Sequence, residues 1–127
     1  LPGASIVKLE FASGRRLFGL PPTTASLKAY LGMLGATALP WMLAVRDGDA
    51  AATLGREAIG LGGHVRVGIE DYGGARTPRN EELVAEIASM ARRAGRPRAN
   101  ATDAARILGL PDAGEAVERR TANGGKP

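Results

Sequence analysis

Arg66, Glu70 and Asp71 are the residues whose types and spacing best suit chemistry, and they close the segment Gly62-Gly63-His64-Val65-Arg66-Val67-Gly68-Ile69-Glu70-Asp71. A carboxylate such as Glu70 offers hard oxygen ligands to Zn2+ or Mg2+. The planar guanidinium of Arg66 can grip a substrate carboxylate through two parallel hydrogen bonds. Asp71 can accept a proton as a general base. The plainer alternative is an internal Arg66–Glu70 ion pair steadying one face of a strand, and spacing alone leaves both readings open.

The element that must position these groups is a strand. Side chains of an extended segment alternate, so His64, Arg66, Gly68 and Glu70 are expected on one face and Val65, Val67 and Ile69 on the other. Helices should cover the valine face. The opposite face then carries the charged row, and Asp71 opens the loop at the carboxyl end, where parallel sheets and barrels gather catalytic groups. His64 is the only histidine. It stands at the start of the strand, on the order of 13 Å from that end at ~3.3 Å per residue, and is read as structural.

Two similar units precede this strand. In Ser5–Phe11, Val7, Leu9 and Phe11 alternate with Lys8 and Glu10, the period of a strand whose charged side chains either face the site or sit at an edge. After a loop with Arg15 and Arg16, Thr23 or Thr24 caps a helix in which Leu27, Tyr30, Leu31 and Leu34 recur at helical spacing as far as Gly35. Trp41–Val45 is the short apolar run of a strand covered on both faces, with Trp41 read as core. Arg46-Asp47-Gly48 is its loop, and Asp49 caps a helix burying Leu54, Ala58, Ile59 and Leu61. Loop arginines 15, 16 and 46 could meet anionic groups such as the phosphates of a coenzyme, although solvated loop positions explain them equally. After the third strand, Asn80 caps a helix with Glu81 and Glu82 in its first turn and Leu83, Val84, Ile87 and Met90 on one face. That helix ends at Arg92 and Arg93 before Gly95 and Pro97. A short helix from Thr102 through Leu108 stops at Gly109, and Pro111 blocks its continuation.

Composition bounds the possibilities. At 127 residues, with 44% hydrophobic and 24% charged residues, the chain has the make-up of one globular domain. The absence of cysteine excludes a disulfide framework and a thiolate zinc ribbon, so any metal must use His or carboxylates. No apolar run approaches the ~18 residues of a membrane span, and no signal peptide is legible, so a cytoplasmic protein without a membrane partner is expected. The net charge of +4 comes from arginines and lysine late in the chain with no interleaved aromatics. A solvated helix end and tail account for them, and nucleic acid is not an expected partner. Three strand-then-helix units imply a parallel α/β sheet with right-handed crossovers. No phosphate-binding glycine fingerprint of an open doubly wound sheet is present, whereas a closed eight-strand barrel needs roughly 250 residues.

The decapeptide, followed by Tyr72, Gly73, Pro78, Asn80 and Glu82-Leu83-Val84, and then Gly95-Arg96-Pro97 through Ile107-Leu108-Gly109-Leu110, closely resembles the C-terminal part of the β-keto acid cleavage enzymes. Phe18-Gly19-Leu20-Pro21-Pro22-Thr23 and Leu39-Pro40-Trp41 are similar to that family as well. The resemblance implies that residues 1–111 are the last three βα units of a (β/α)8 TIM barrel, with 112–127 a flexible polar tail. It implies a reaction in which a β-keto acid and acetyl-CoA become acetoacetate and a new acyl-CoA by Claisen and retro-Claisen steps. Glu70 would be a zinc ligand, Asp71 the general base that helps form the acetyl-CoA enolate, and Arg66 the group that orients the base or the substrate. Zinc would act as a Lewis acid on the keto oxygen. Tyr72 stands where many relatives carry Asn, which bears on substrate choice.

The family pattern also includes a His-X-His zinc pair on an early strand, which a chain with one histidine lacks. One carboxylate is too few for a catalytic zinc, which normally takes three protein ligands. With Leu1 in place of Met, a fragment or split-barrel half that is inactive alone is therefore expected. Its partners would be the small-molecule substrates and a missing N-terminal barrel half or an oligomer partner. The alternative is a non-catalytic assembly module that completes a barrel with another chain.

Overall fold

The computed structural model describes residues 6–14 and 18–110. The strand order is β1 (Val7–Ala12), β2 (Trp41–Arg46), β3 (His64–Val65), all parallel. Helices α1 (Thr24–Leu34), α2 (Gly55–Gly60), α3 (Asn80–Arg93) and α4 (Ala101–Ile107) complete the described elements. The expected α/β pattern of three strand-helix units is thus present, with α4 appended. Arg15, Arg16 and the tail 112–127 lie outside the described residues.

The register explains the two faces of the sheet. Leu9 is level with Leu43, which is level with Val65, and Phe11 is level with Val45. These side chains form one apolar core with Leu27 of α1 and Leu54 and Ala58 at α2. Phe11, Leu27 and Leu43 are fully buried. At ~25 cal/mol per Å2 of apolar surface, this layer is the main stabilising element of the fold. Phe11 meets the Tyr30 ring edge-on at 5.2 Å, and the Tyr30 hydroxyl donates to the Glu10 carbonyl at 3.1 Å, tying α1 to β1. Trp41, Val65 and Val67 pack partly buried against the core. Lys8, Glu10, Arg46 and Arg66 occupy the opposite face.

The caps follow their chemistry. The Thr23 hydroxyl accepts the Ser26 N–H at the start of α1, and Gly35, at φ 60°, ends that helix. Asp49 was expected to cap α2. Its Oδ1 accepts from Ala51 and Ala52, closing a turn, and α2 itself begins only at Gly55. Because α2 ends at Gly60, Leu61 falls off its buried stripe and is exposed, contrary to expectation. Arg96 reaches back to the C-terminal end of α2, donating to the carbonyls of Ile59 (2.6 Å), Gly63 (2.9 Å) and Gly62 (3.0 Å). A guanidinium there satisfies helix-end carbonyls and opposes the negative end of the helix dipole.

Asn80 was expected to be the cap of α3. It is instead the first helical residue, and Glu82 caps by accepting the Arg79 N–H at 2.7 Å. The Asn80 side chain is occupied elsewhere: its Oδ1 accepts the Ile69 N–H at 2.9 Å. Of the apolar face of α3, Leu83 is buried while Val84 is exposed. Val84 and Ile87 line a cleft of about 420 Å3 that runs beside β3, together with Val65, Val67 and Ile107.

Candidate active site

The third strand is shorter than alternation implies, and this determines the site. Only His64–Val65 are strand, with one further ladder bond from the Arg66 N–H to the Leu43 carbonyl at 2.9 Å. The Gly68 carbonyl then accepts from both Asp71 and Tyr72 at 3.1 Å, so the chain curls through 69–72. Asn80 satisfies the Ile69 N–H, and the Gly73 N–H donates to the Gly48 carbonyl at 3.0 Å. Two glycines permit this stitching. A Cβ on Gly73 would run into the Asp47 backbone, and one on Gly48 would lie 2.6 Å from Ser13 Oγ and 2.7 Å from Val45 Cγ1. Asp47, at φ 52°, turns the chain out of β2 just before Gly48.

The curl corrects the expected face assignment. Glu70 does not continue the row of Arg66 inside the sheet; its side chain is 72% exposed. Ile69, expected under a helix, is also exposed. Asp71 is the carboxylate brought over the sheet beside Arg66, and it is only 4% exposed. Period-two alternation holds only while the backbone is extended; Val67 still packs against the core, and the pattern breaks where the chain turns at Ile69.

Six charged side chains form a continuous chain across all three strands. Lys8 pairs with Glu10, and Glu10 Oε2 lies 3.4 Å from Arg46 Nε. Arg46 Nη1 lies 3.2 Å from Asp71 Oδ1, and Arg66 Nη1 lies 3.2 Å from Asp71 Oδ2. Arg66 Nη2 then reaches Glu70 Oε2, also at 3.2 Å. Three cations alternate with three carboxylates, so the formal charges cancel. Both Asp71 oxygens, though within ion-pair distance, accept no well-directed hydrogen bond. A buried carboxylate with lone pairs left over can take up a proton from a bound molecule.

Burial works to raise the Glu10 carboxyl, but the Lys8 hydrogen bond and the charges of Lys8 and Arg46 outweigh it and hold the group below its ordinary value. His64, on the same face at the amino end of β3, is lowered by burial and then by the charge of Arg96. Beside the site, Arg76 grips both Glu86 oxygens at 2.7 and 3.0 Å and lies 5.7 Å from the Tyr72 ring centre, fastening the loop to α3. Hydrogen bonds to Glu86 raise the Arg76 guanidinium above its already high value.

Of the expected site residues, Arg66 and Asp71 come together, and Arg66 and Glu70 also form the ion pair of the plainer reading. Arg46, read from sequence as a loop residue, joins them. Its signal was position alone: it ends β2 at the carboxyl edge of the sheet. For a metal, Glu70 offers one accessible carboxylate. Among the described residues no group of three His, Cys, Asp or Glu side chains converges on a point, so they cannot hold a catalytic metal by themselves. Among the same residues, no helix is long and apolar enough to cross a membrane.

Comparison with known proteins gives this geometry a context. Residues 4–110 match the family model described as beta-keto acid cleavage enzyme. A 3-oxoadipate:acetyl-CoA acetyltransferase of Cupriavidus necator is 38% identical over 63 residues, which is 46% of this chain and 22% of that protein. The aligned chain thus spans less than a quarter of the length of that relative. With the match extending from before β1 to beyond α4, this chain belongs to the β-keto acid cleavage enzyme family.

Proposed function

We propose that this chain supplies the last three βα units of a (β/α)8 barrel that converts a β-keto acid and acetyl-CoA into acetoacetate and a new acyl-CoA. The observation that carries the reading is the buried Asp71 carboxylate, aimed by two guanidiniums at the carboxyl ends of parallel strands. Family membership and the acetyl-CoA-dependent relative support it. The parallel order β1-β2-β3, with a helix after each strand, supports the barrel.

Acetoacetate requires a bond between C2 of the keto acid and the acetyl carbonyl carbon, so in this reading Asp71 takes a proton from C2 of the keto acid rather than from acetyl-CoA, and the resulting enolate attacks the thioester carbonyl. The CoA thiolate leaves the acetyl carbon and adds to the original keto carbon, and cleavage of the bond between that carbon and C2 gives the new acyl-CoA and the acetoacetate enolate, which Asp71 reprotonates. Arg66 holds Asp71 through Nη1, and its Nε, which pairs with neither Asp71 nor Glu70, can contact the keto-acid carboxylate. Glu70 would be one carboxylate ligand of a zinc ion, to which the other described residues add no set of ligands, and zinc would supply Lewis-acid polarisation of the keto oxygen. The natural protein containing this sequence, given zinc, acetyl-CoA and a panel of β-keto acids, is expected to form acetoacetate. Glu70→Gln should lower both zinc content and turnover; a folded Glu70→Gln protein with both unchanged removes Glu70 from the site.

A non-catalytic assembly module is the second reading. The observation favouring it is the apolar cleft of about 420 Å3 beside β3, which another chain could fill. Stoichiometric association with a second polypeptide and no acetoacetate with any substrate of the panel would select it.

A further inference from the structure

Asp71 is held by two arginines, and the reaction proposed above assigns work to only one of them. Each carboxylate oxygen has its own guanidinium, Oδ1 that of Arg46 and Oδ2 that of Arg66, both at 3.2 Å. The two cations arrive from different strands whose relative placement is fixed by the ladder. Arg46 ends β2 level with Ala12, and the Arg66 N–H bonds the Leu43 carbonyl of that same strand. Arg46 is itself restrained: its Nε lies 3.4 Å from Glu10 Oε2, and its guanidinium carbon lies 5.7 Å from the centre of the Phe18 ring. Arg66, by contrast, divides its pairing between Asp71 and the exposed Glu70.

We propose that Arg46 is a positioning residue, which with Glu10 behind it fixes the rotation of the Asp71 carboxylate so that its lone pairs are not both taken up by Arg66. The proposal rests on the reading of Asp71 as the base. Geometry is the reason that a second cation matters. A carboxylate drawn from one side by a single guanidinium can swing until both oxygens meet that guanidinium in the two-pronged arrangement such pairs favour. Asp71 would then spend its lone pairs on Arg66. With an opposing guanidinium on Oδ1, that swing is blocked. Solvent cannot substitute, because Asp71 is 4% exposed. Glu10 prevents Arg46 from following Asp71, since the same guanidinium is drawn toward β1.

A group that acts only by aiming the base should change the chemical step and leave substrate binding intact. In the natural protein containing this sequence, Arg46→Met should lower kcat by about 10- to 100-fold while KM for the keto acid stays within about threefold. Arg46→Lys, which restores charge without the fork, should fall between Arg46→Met and the unmodified protein. Added guanidinium ion at millimolar concentration should recover part of the turnover of Arg46→Ala. An unchanged kcat in folded Arg46→Met, or a loss confined to KM, overturns the proposal. If Arg46→Met does not fold, Arg46→Lys decides: a lowered kcat at constant KM supports the role, and an unaltered kcat overturns it. Asp71→Asn separates the two ideas. Turnover surviving in Asp71→Asn defeats the assignment of the base itself, whereas its loss there, with Arg46→Met unaffected, defeats only the role of Arg46.

Discussion

Arg96→Met tests how β3 and the charged face are held in place. Arg96 donates three hydrogen bonds to carbonyls at the end of α2 and in the turn that leads directly into β3. Methionine keeps much of the aliphatic volume and removes all three. Hydrogen bonds to a charged donor contribute roughly 1.5–3 kcal/mol each, but they are not additive, and water can reach the more exposed Gly62 carbonyl. The two part-buried bonds therefore set the scale, at about 2–4 kcal/mol of lost stability. Urea unfolding of the natural protein measures the loss, and amide exchange of Gly63 and Val65 should accelerate in step. A second readout is independent of stability. The charge of Arg96 helps keep the His64 imidazole below its ordinary value, so its titration, followed by NMR, should move upward in Arg96→Met. A loss under about 0.5 kcal/mol, typical of an ordinary surface substitution, would refute the clamp.

Two further outcomes follow from the same structure. Gly73→Ala should destabilise by about 1–3 kcal/mol, because the new Cβ meets the Asp47 backbone and the bond from Gly73 to the Gly48 carbonyl must stretch; urea unfolding and exchange of the Gly73 amide report it. Stability should also fall on acidification in two stages. Both His64 and Glu10 titrate lower in the folded chain than their ordinary values of 6.5 and 4.5, so the unfolded chain binds more protons and stability rises with pH. The His64 contribution is complete above about pH 6.5 and is lost as pH falls toward its depressed folded value. The Glu10 contribution is lost in the same sense below about pH 4.5, and urea midpoints measured across this range should show both stages.

Much of the scaffold was legible from local pattern. The alternation of Val7, Leu9 and Phe11 against Lys8 and Glu10, and the helical spacing of Leu27, Tyr30, Leu31 and Leu34, correspond to β1 and α1. These periods are set by the backbone of each element and need no distant partner. The site was legible in its residue types and only partly in its geometry. Whether Glu70 or Asp71 turns inward depends on a curl held by Asn80, Gly48 and the double acceptor Gly68, and two of those are remote in sequence. Arg46 was missed as a partner of Asp71 for the same reason, since the pairing depends on how β2 and β3 lie side by side. The position of Asp49 ahead of α2 and of Asn80 inside α3 shows that a good capping residue is recruited by whichever N–H reaches it first.

The proposed chemistry turns on proton transfer by Asp71, and deuterium exchange at C2 of the keto acid measures that step without requiring the whole reaction. With the natural protein, zinc and a keto acid in D2O, NMR should record a protein-dependent loss of the C2 proton signal. Asp71→Asn, with its fold verified by amide exchange, should slow that loss by about 100-fold or more, the scale of general base catalysis. Exchange at C2 at the unmodified rate in folded Asp71→Asn would contradict the account.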